Sequence, residues 1–164
     1  METIYSILSD ELLDLQYRIA QNIIHNGQEA TGKTIESLDV KMDGAYHGTL
    51  VGRKFFSALE TGRGQTMTLT PSTPTLQERI YEWLLAKGIT ADDGKSDLSL
   101  SWAIAKKIHK QGTKLFRDGG RKDVYSNEIP QTVTSIQNRV LEYFAAKAHT
   151  INEDVEQYYK SKVS

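Results

Sequence analysis

Apolar residues recur at steps of three and four at both ends of this chain, a spacing that commits each end to an amphipathic helix. Near the start the stripe is Leu8, Leu12, Leu15, Ile19 and Ile23, widened by Leu13, Tyr17 and Ile24. Ser9 and Asp10 are N-cap candidates, and Glu11 and Asp14 suit the positive end of the helix dipole. Asn26-Gly27 reads as the stop, so the pattern predicts a helix over about 9–26. Near the end the stripe begins at Ile129-Pro130 and passes Val133, Ile136, Val140, Phe144, Ile151 and Val155. It predicts either one helix over 130–158 or a break near 149, where Thr150-x-x-Glu153 is similar to a capping box.

Between the two ends the period changes. A short helical turn is expected over Thr31–Ser37, and Leu38 to Met42 then alternates apolar and polar, as a half-buried strand does. Asp43-Gly44 suits a two-residue type I′ turn, with Ala45–Val51 returning and Tyr46, Gly48 and Leu50 on one face. A polar stretch over Thr61–Ser72 follows. Pro74, after Thr73, fits the first position of a helix with Leu76, Ile80, Trp83 and Leu84 inward and Lys87-Gly88 as its end. A further helix is expected over 97–111, with Leu98, Trp102, Ala105 and Ile108 inward and Gly112 as its stop; 117–127 reads as loop. The expected fold class is α+β. Long N- and C-terminal helices pack on a small antiparallel sheet (hairpin 38–51), with an extra helical insertion. At 164 residues this is one domain over 1–164, with about 150–164 as a candidate extension.

The chemistry is bounded mainly by what is missing. There is no cysteine, which excludes disulfides, thiol catalysis and Cys-based metal sites. His25, His47, His109 and His149 lie far apart with no H-E-x-x-H spacing, and no Ser sits in a G-x-S-x-G elbow. Neither a metal nor a cofactor is expected. No apolar run approaches the ~20 residues of a membrane helix, which predicts a soluble, intracellular protein without membrane contact. Asp92-Asp93-Gly94-Lys95-Ser96-Asp97 lacks the ligand spacing of a calcium loop and reads as a loop carrying a helix N-cap. Tyr158 and Tyr159 could stack on a base or sugar, although packing is the commoner fate of such rings.

One motif is sharper. Gly27-Gln28-Glu29-Ala30-Thr31-Gly32-Lys33-Thr34 fits G-x-x-x-x-G-K-[ST], the phosphate-cradling P-loop. That loop needs a buried strand before its first Gly and a full helix after its Lys. Here an amphipathic helix precedes Gly27, and a strand follows within a few residues of Thr34. Gly27 as a helix C-cap and Thr31 or Thr34 as an N-cap account for the same letters, so the match at Gly27, Gly32, Lys33 and Thr34 is set aside.

Charge is balanced overall, with 20 Lys+Arg against 21 Asp+Glu, so the whole chain carries no field that attracts nucleic acid. The distribution is uneven. From Lys106 to Lys122 there are seven bases and one acid, Asp118, in a chain whose total is −1. Such a strip fits a phosphate backbone or an acidic protein neighbour, or a solvated helix face. Lys106, Lys110 and Lys114, with Arg117 and Arg121, are expected to face DNA or a partner; Lys107 and Lys122 are peripheral. Pairing with Asp10, Glu11 and Asp14 of the first helix is the alternative for these bases.

Ala58-Leu59-Glu60-Thr61-Gly62-Arg63 resembles the E-x-G strand-to-loop signature of tail-completion and neck proteins of tailed bacteriophages. Around it, Ala30-Thr31-Gly32-Lys33-Thr34-x-x-Ser37-Leu38 precedes the hairpin. Ser101 to Ile108, Gly112-Thr113 and Gly119 to Asn127 are similar to stretches of Bacteroidetes-phage members of that group. The resemblance covers about 1–145; the insertion at 74–111 and the C-terminal tail exceed the shorter members. It implies a non-catalytic structural virion protein, a homo-oligomeric ring beneath the portal in the head–tail connector, neck or tail. Its partners would be portal, adaptor or other neck and tail proteins, with non-specific contact to packaged DNA, after assembly in the host cytoplasm. From its length and its lack of apolar anchors other than Met67 and Leu69, the loop Thr61–Ser72 is expected to be poorly ordered in an isolated monomer and fixed by an adjacent subunit, with Glu60, Arg63, Met67 and Leu69 as the inter-subunit residues. A P-loop nucleotide-binding protein using 27–34 and a nucleic-acid-binding module using 106–122 stand as alternatives.

Overall fold

Thr3 and Ser6 start the first helix. The Ser6 amide donates to the Thr3 hydroxyl at 3.1 Å while the Thr3 amide donates to the Ser6 hydroxyl at 2.9 Å, a reciprocal capping box. The computed structural model describes residues 2–67, 72–92 and 94–163. Helix α1 accordingly spans Ile4–His25, five residues earlier than the Ser9-Asp10 start expected from sequence, because the Thr3–Ser6 pair satisfies two amides together. The earlier start adds Ile7 to the buried stripe of Leu15, Ile19 and Ile23. At the other end Gly27, in the left-handed region, and Gln28 return their amides to Ile24 and Ile23, closing the helix.

After α1, α2 (Lys33–Glu36) is a single turn whose N-cap is Gly32; neither Thr31 nor Thr34 takes that role. Strands β1 (Asp39–Met42) and β2 (Gly48–Val51) pair antiparallel, Met42 opposite Gly48 and Asp39 opposite Val51. Residues 43–47 make the connection, closed by the Asp43 amide on the His47 carbonyl at 2.8 Å, so the two-residue turn at Asp43-Gly44 does not form. The reason lies in α1: a Cβ on Gly48 would stand 2.5 Å from Leu12 Cδ1 and 2.8 Å from Met42 Sδ. Only the residue without a side chain fits where the helix crosses the hairpin, and that contact sets the register. Gly48 and Leu50 share a face as expected, but Tyr46 stands out in the connecting loop.

Helix α3 (Ala58–Thr61) follows, then the pair α4 (Leu76–Lys87) and α5 (Asp97–Gln111). Thr75, not Thr73, caps α4 through a second reciprocal box with Glu78, so Pro74 precedes the helix instead of opening it. Ser96 caps α5 and Gly112 ends it, as the sequence predicts. The Asp97 carboxylate also accepts the Ala91 amide, which makes the stretch before α5 a capping loop, and Asp93 lies outside the described residues. Leu76, Ile80 and Leu84 meet Ala105, Leu100, Ile104 and Ile108 in a core of their own. Trp83, Leu98 and Trp102, expected inward, point outward. In their place Ser101 is fully buried, accepting from Gln77 and donating to the Leu98 carbonyl.

Helix α6 (Lys114–Arg117), capped by Thr113, ends where the stretch 117–127 read as loop begins, and α7 (Glu128–Val163) follows that stretch. Helix α7 is continuous for 36 residues, about 54 Å at 1.5 Å per residue. The break near 149 is absent. Thr150 sits in mid-helix with its hydroxyl on the Ala146 carbonyl, and His149–Glu153 and Lys160–Glu156 pair along the surface. The fold is α+β, with α1 at its centre: α1 contacts both strands of the hairpin and the first part of α7, which runs antiparallel to it. Leu15, Ile19, Ile23, Leu38 and Val124 form this second core. Arg18 reaches Glu128 and Thr132, and Arg139 gathers Glu2, Asp10 and Glu11, clamping α7 to α1 at both ends.

Candidate functional site

Glu60 is charged, yet only 3% of its surface is exposed. A buried carboxylate must be compensated, and here the donors come from far along the chain. Its Oε1 accepts the amides of Val124, Tyr125 and Ser126 at 3.0, 2.8 and 2.9 Å, and its Oε2 accepts the Ser126 hydroxyl. Burial alone would raise the Glu60 pKa. The Ser126 hydroxyl and the three amides outweigh it and hold the carboxyl below its ordinary value. The carboxylate thus caps a turn of backbone, accepting three successive N–H groups on one oxygen.

The backbone beside Glu60 is tied to the same region. Its carbonyl accepts the Arg121 amide at 2.8 Å, and a Cβ on Gly120 would lie 2.8 Å from that carbonyl oxygen. Two residues on, Gly62 has φ +69 and ψ −178, a conformation essentially restricted to glycine. A Cβ there would meet the Phe116 amide nitrogen at 2.5 Å and the Thr113 hydroxyl at 2.6 Å. Arg63 and Thr113 exchange contacts, the Thr113 amide donating to the Arg63 carbonyl at 2.8 Å and the Arg63 amide to the Thr113 hydroxyl at 3.0 Å. Thr66 then donates its amide to the His109 carbonyl at 3.1 Å. Glu60-Thr61-Gly62-Arg63 is therefore knotted to Gly112-Thr113 and to the segment 120–126.

For Glu60 this geometry corrects the expectation of an inter-subunit contact. Glu60 faces inward and is consumed by hydrogen bonds, and the path from Gly62 to Thr66 is fixed by contacts within the chain. Met67 is 89% exposed, while Leu69 lies outside the described residues. The partners of Glu60 were missed from sequence. Gly112 reads as a helix stop and Gly119 to Asn127 as part of the resemblance, and nothing local to residues 124–126 marks three unpaired amides.

A separate cleft of about 490 Å³ lies between the stretch 28–35 and the start of α4. Lys33, Arg53 and Arg79 line it with Glu29, Glu82 and Trp83, so both charges face the space. Gly32 and Thr34 are on its wall; the Gly27 carbonyl instead accepts the Lys87 ammonium at 3.0 Å. A helix runs into Gly27 and a single turn follows Gly32, in place of the strand and full helix that a P-loop requires.

The basic strip is divided. Lys106 and Lys110 are exposed on α5, but Gly112 ends that helix, so Lys110 and Lys114 do not share one helical face. Lys114 pairs with Asp118, Arg117 donates to the Gly112 carbonyl at 2.7 Å, and Arg121 grips Asp123 through two nitrogens. The acids of α1 take other partners: Asp10 and Glu11 pair with Arg139, and Asp14 with Arg18. Among the described residues no helix is long and apolar enough to cross a membrane. Compared with protein-family models, with curated proteins and with solved structures, the chain matches none.

Proposed function

We propose that this chain is a non-catalytic structural protein of a tailed double-stranded-DNA bacteriophage, forming a homo-oligomeric ring in the head–tail connector (neck) or tail. The observation that carries the reading is the convergence of the residues on which the resemblance rests. Glu60, Gly62, Gly112, Thr113 and Gly120 meet in one knot, and each serves to hold backbone to backbone. A motif spent on joining distant segments belongs to a scaffold. An acid that served chemistry would keep an oxygen open to a substrate, whereas both oxygens of Glu60 are aimed at the protein's own donors.

A ring closes through heterologous contacts related by rotation, and these need surface that the fold itself leaves uncovered. Met67 and the second half of α7 are such surface. Portal, adaptor or other neck and tail proteins are the neighbours this reading assigns, with Lys106 and Lys110 among the exposed bases available for sequence-independent contact with phosphate. The P-loop and nucleic-acid-module readings gain no comparable support, since a helix enters Gly27 and three bases of the strip are already engaged. Quantitative mass spectrometry and microscopy of purified virions test the proposal. A fixed copy number at the head–tail junction or in the tail is expected; presence only in the cytosol of infected cells overturns it.

A further inference from the structure

From Phe144 onward every described residue of α7 is exposed, although the helix continues to Val163. The stripe that packs α7 on α1 runs through Thr132, Ile136, Arg139 and Tyr143 and ends there. A different stripe takes over. Leu141, Phe144, Ala148, Ile151, Val155 and Tyr158 follow one another at alternating steps of three and four, the spacing of a coiled-coil seam. The five large ones among them are 48–67% exposed. Helices in water draw most of their stability from packing, and the surface pairs along this one contribute only a few tenths of a kcal/mol each. Six apolar positions in strict register along an uncovered helix are the mark of a partner helix.

We propose that this partner is the same segment of a second copy of the chain, packed antiparallel. Pairing each seam position with the residue whose number completes 299 matches the stripe to itself without a gap. Leu141 faces Tyr158 of the second copy, Phe144 faces Val155 and Ala148 faces Ile151, and the two-fold axis repeats each layer. The small Ala148 sits next to the axis and lets the backbones approach. Charge decides the direction. Antiparallel pairing brings Lys147 beside Asp154 of the other copy, twice, on the flank of the seam. Parallel pairing would set Lys162 against Lys162 inside the seam, Lys147 against Asn152 and Asp154 against Tyr159, with no pair of opposite charge. Within one chain Lys147 only rests 5.8 Å from the Tyr143 ring, so its ammonium is available to a partner. The pairing does not depend on the virion reading, because a two-fold contact joins two chains whether or not each also belongs to a ring.

The whole 164-residue chain provides the test, since it has no cysteine to interfere. Oxidation of a Leu141→Cys/Tyr158→Cys double variant is expected to give a covalent dimer, and each single variant none. Cross-linking by Leu141→Cys alone would mean a parallel pair and overturn the proposal. Sedimentation equilibrium gives a second reading: Ile151→Asp/Val155→Asp should weaken self-association by roughly a hundredfold or more with the α1 core intact. Lys147→Glu should weaken it, and Lys147→Glu/Asp154→Lys should restore it. A wild-type chain that stays monomeric at every concentration, or a charge swap that fails to rescue, overturns the pairing.

Discussion

Glu60 and Ser126 are joined twice, the Ser126 amide donating to Oε1 at 2.9 Å while its hydroxyl donates to Oε2 of the same carboxylate. With the amides of Val124 and Tyr125 on Oε1, this one side chain fastens the end of α3 to the segment that leads into α7. It lies beside the core formed by Ile19, Ile23, Leu38 and Val124, and Val124 itself is one of its donors.

Glu60→Ala leaves three amides without a partner and is expected to destabilise by about 3 kcal/mol or more, whereas Glu60→Gln, which keeps one acceptor oxygen, costs about 1–2 kcal/mol. Chemical denaturation of both variants measures the difference. Equal losses would mean that packing of the side chain, not acceptance of the amides, is what matters.

The pH dependence follows from the direction of the shift. The folded-state pKa of Glu60 lies below its ordinary value, so the carboxylate's contribution is complete above the ordinary carboxylate range. It is lost as pH falls through the folded-state value. In Glu60→Gln the acid side of a Tm-against-pH curve is expected to be flatter than in the wild type, and the two curves should converge at the lowest pH.

Gly62→Ala and Gly44→Ala both place a Cβ at positive φ, +69 and +77, but only the first meets a neighbour within 4 Å. The expected cost is about 2 kcal/mol or more for Gly62→Ala and about 1 kcal/mol for Gly44→Ala. Thermal unfolding of the pair separates backbone strain from collision with Phe116 and Thr113.

Hydrogen exchange on the chain without partners should find the amides of Thr66, Thr113 and Arg121 protected, because each donates within the knot. Fast exchange at all three would show the knot to be open in solution.

Charge reversal separates the parts of the basic strip. Lys106→Glu/Lys110→Glu is expected to leave Tm within about 0.5 kcal/mol equivalent of the wild type while reducing incorporation into particles or DNA retention. Arg121→Ala, which removes the grip on Asp123, should lower Tm instead. Wild-type particles from the first variant would mark Lys106 and Lys110 as ordinary surface.

The helices were legible in the sequence because their signals are contiguous. Periodicity located α1, α4, α5 and α7, and Gly27, Gly88 and Gly112 marked three ends correctly. Starts were less legible where two caps competed within a few residues: Thr3-x-x-Ser6 won over Ser9-Asp10, and Thr75-x-x-Glu78 over Thr73-Pro74, since each winner satisfies two amides reciprocally. Which apolar residues turn inward was only half legible, as Trp83 and Trp102 lie on the same helices as the buried Leu84 and Ala105 but on the wrong side of the α4–α5 seam. The hairpin existed in the sequence, but its register did not, because the passage of Leu12 over Gly48 decides it. The role of Glu60 belongs to the tertiary structure alone. Its donors lie 64 to 66 residues away, and a lone carboxylate in a polar stretch carries no mark of the three amides that chain folding brings to it. Local hydrogen bonds and periodic burial are written in neighbouring residues; the pairing of distant backbone is settled only when packing has chosen which segments meet.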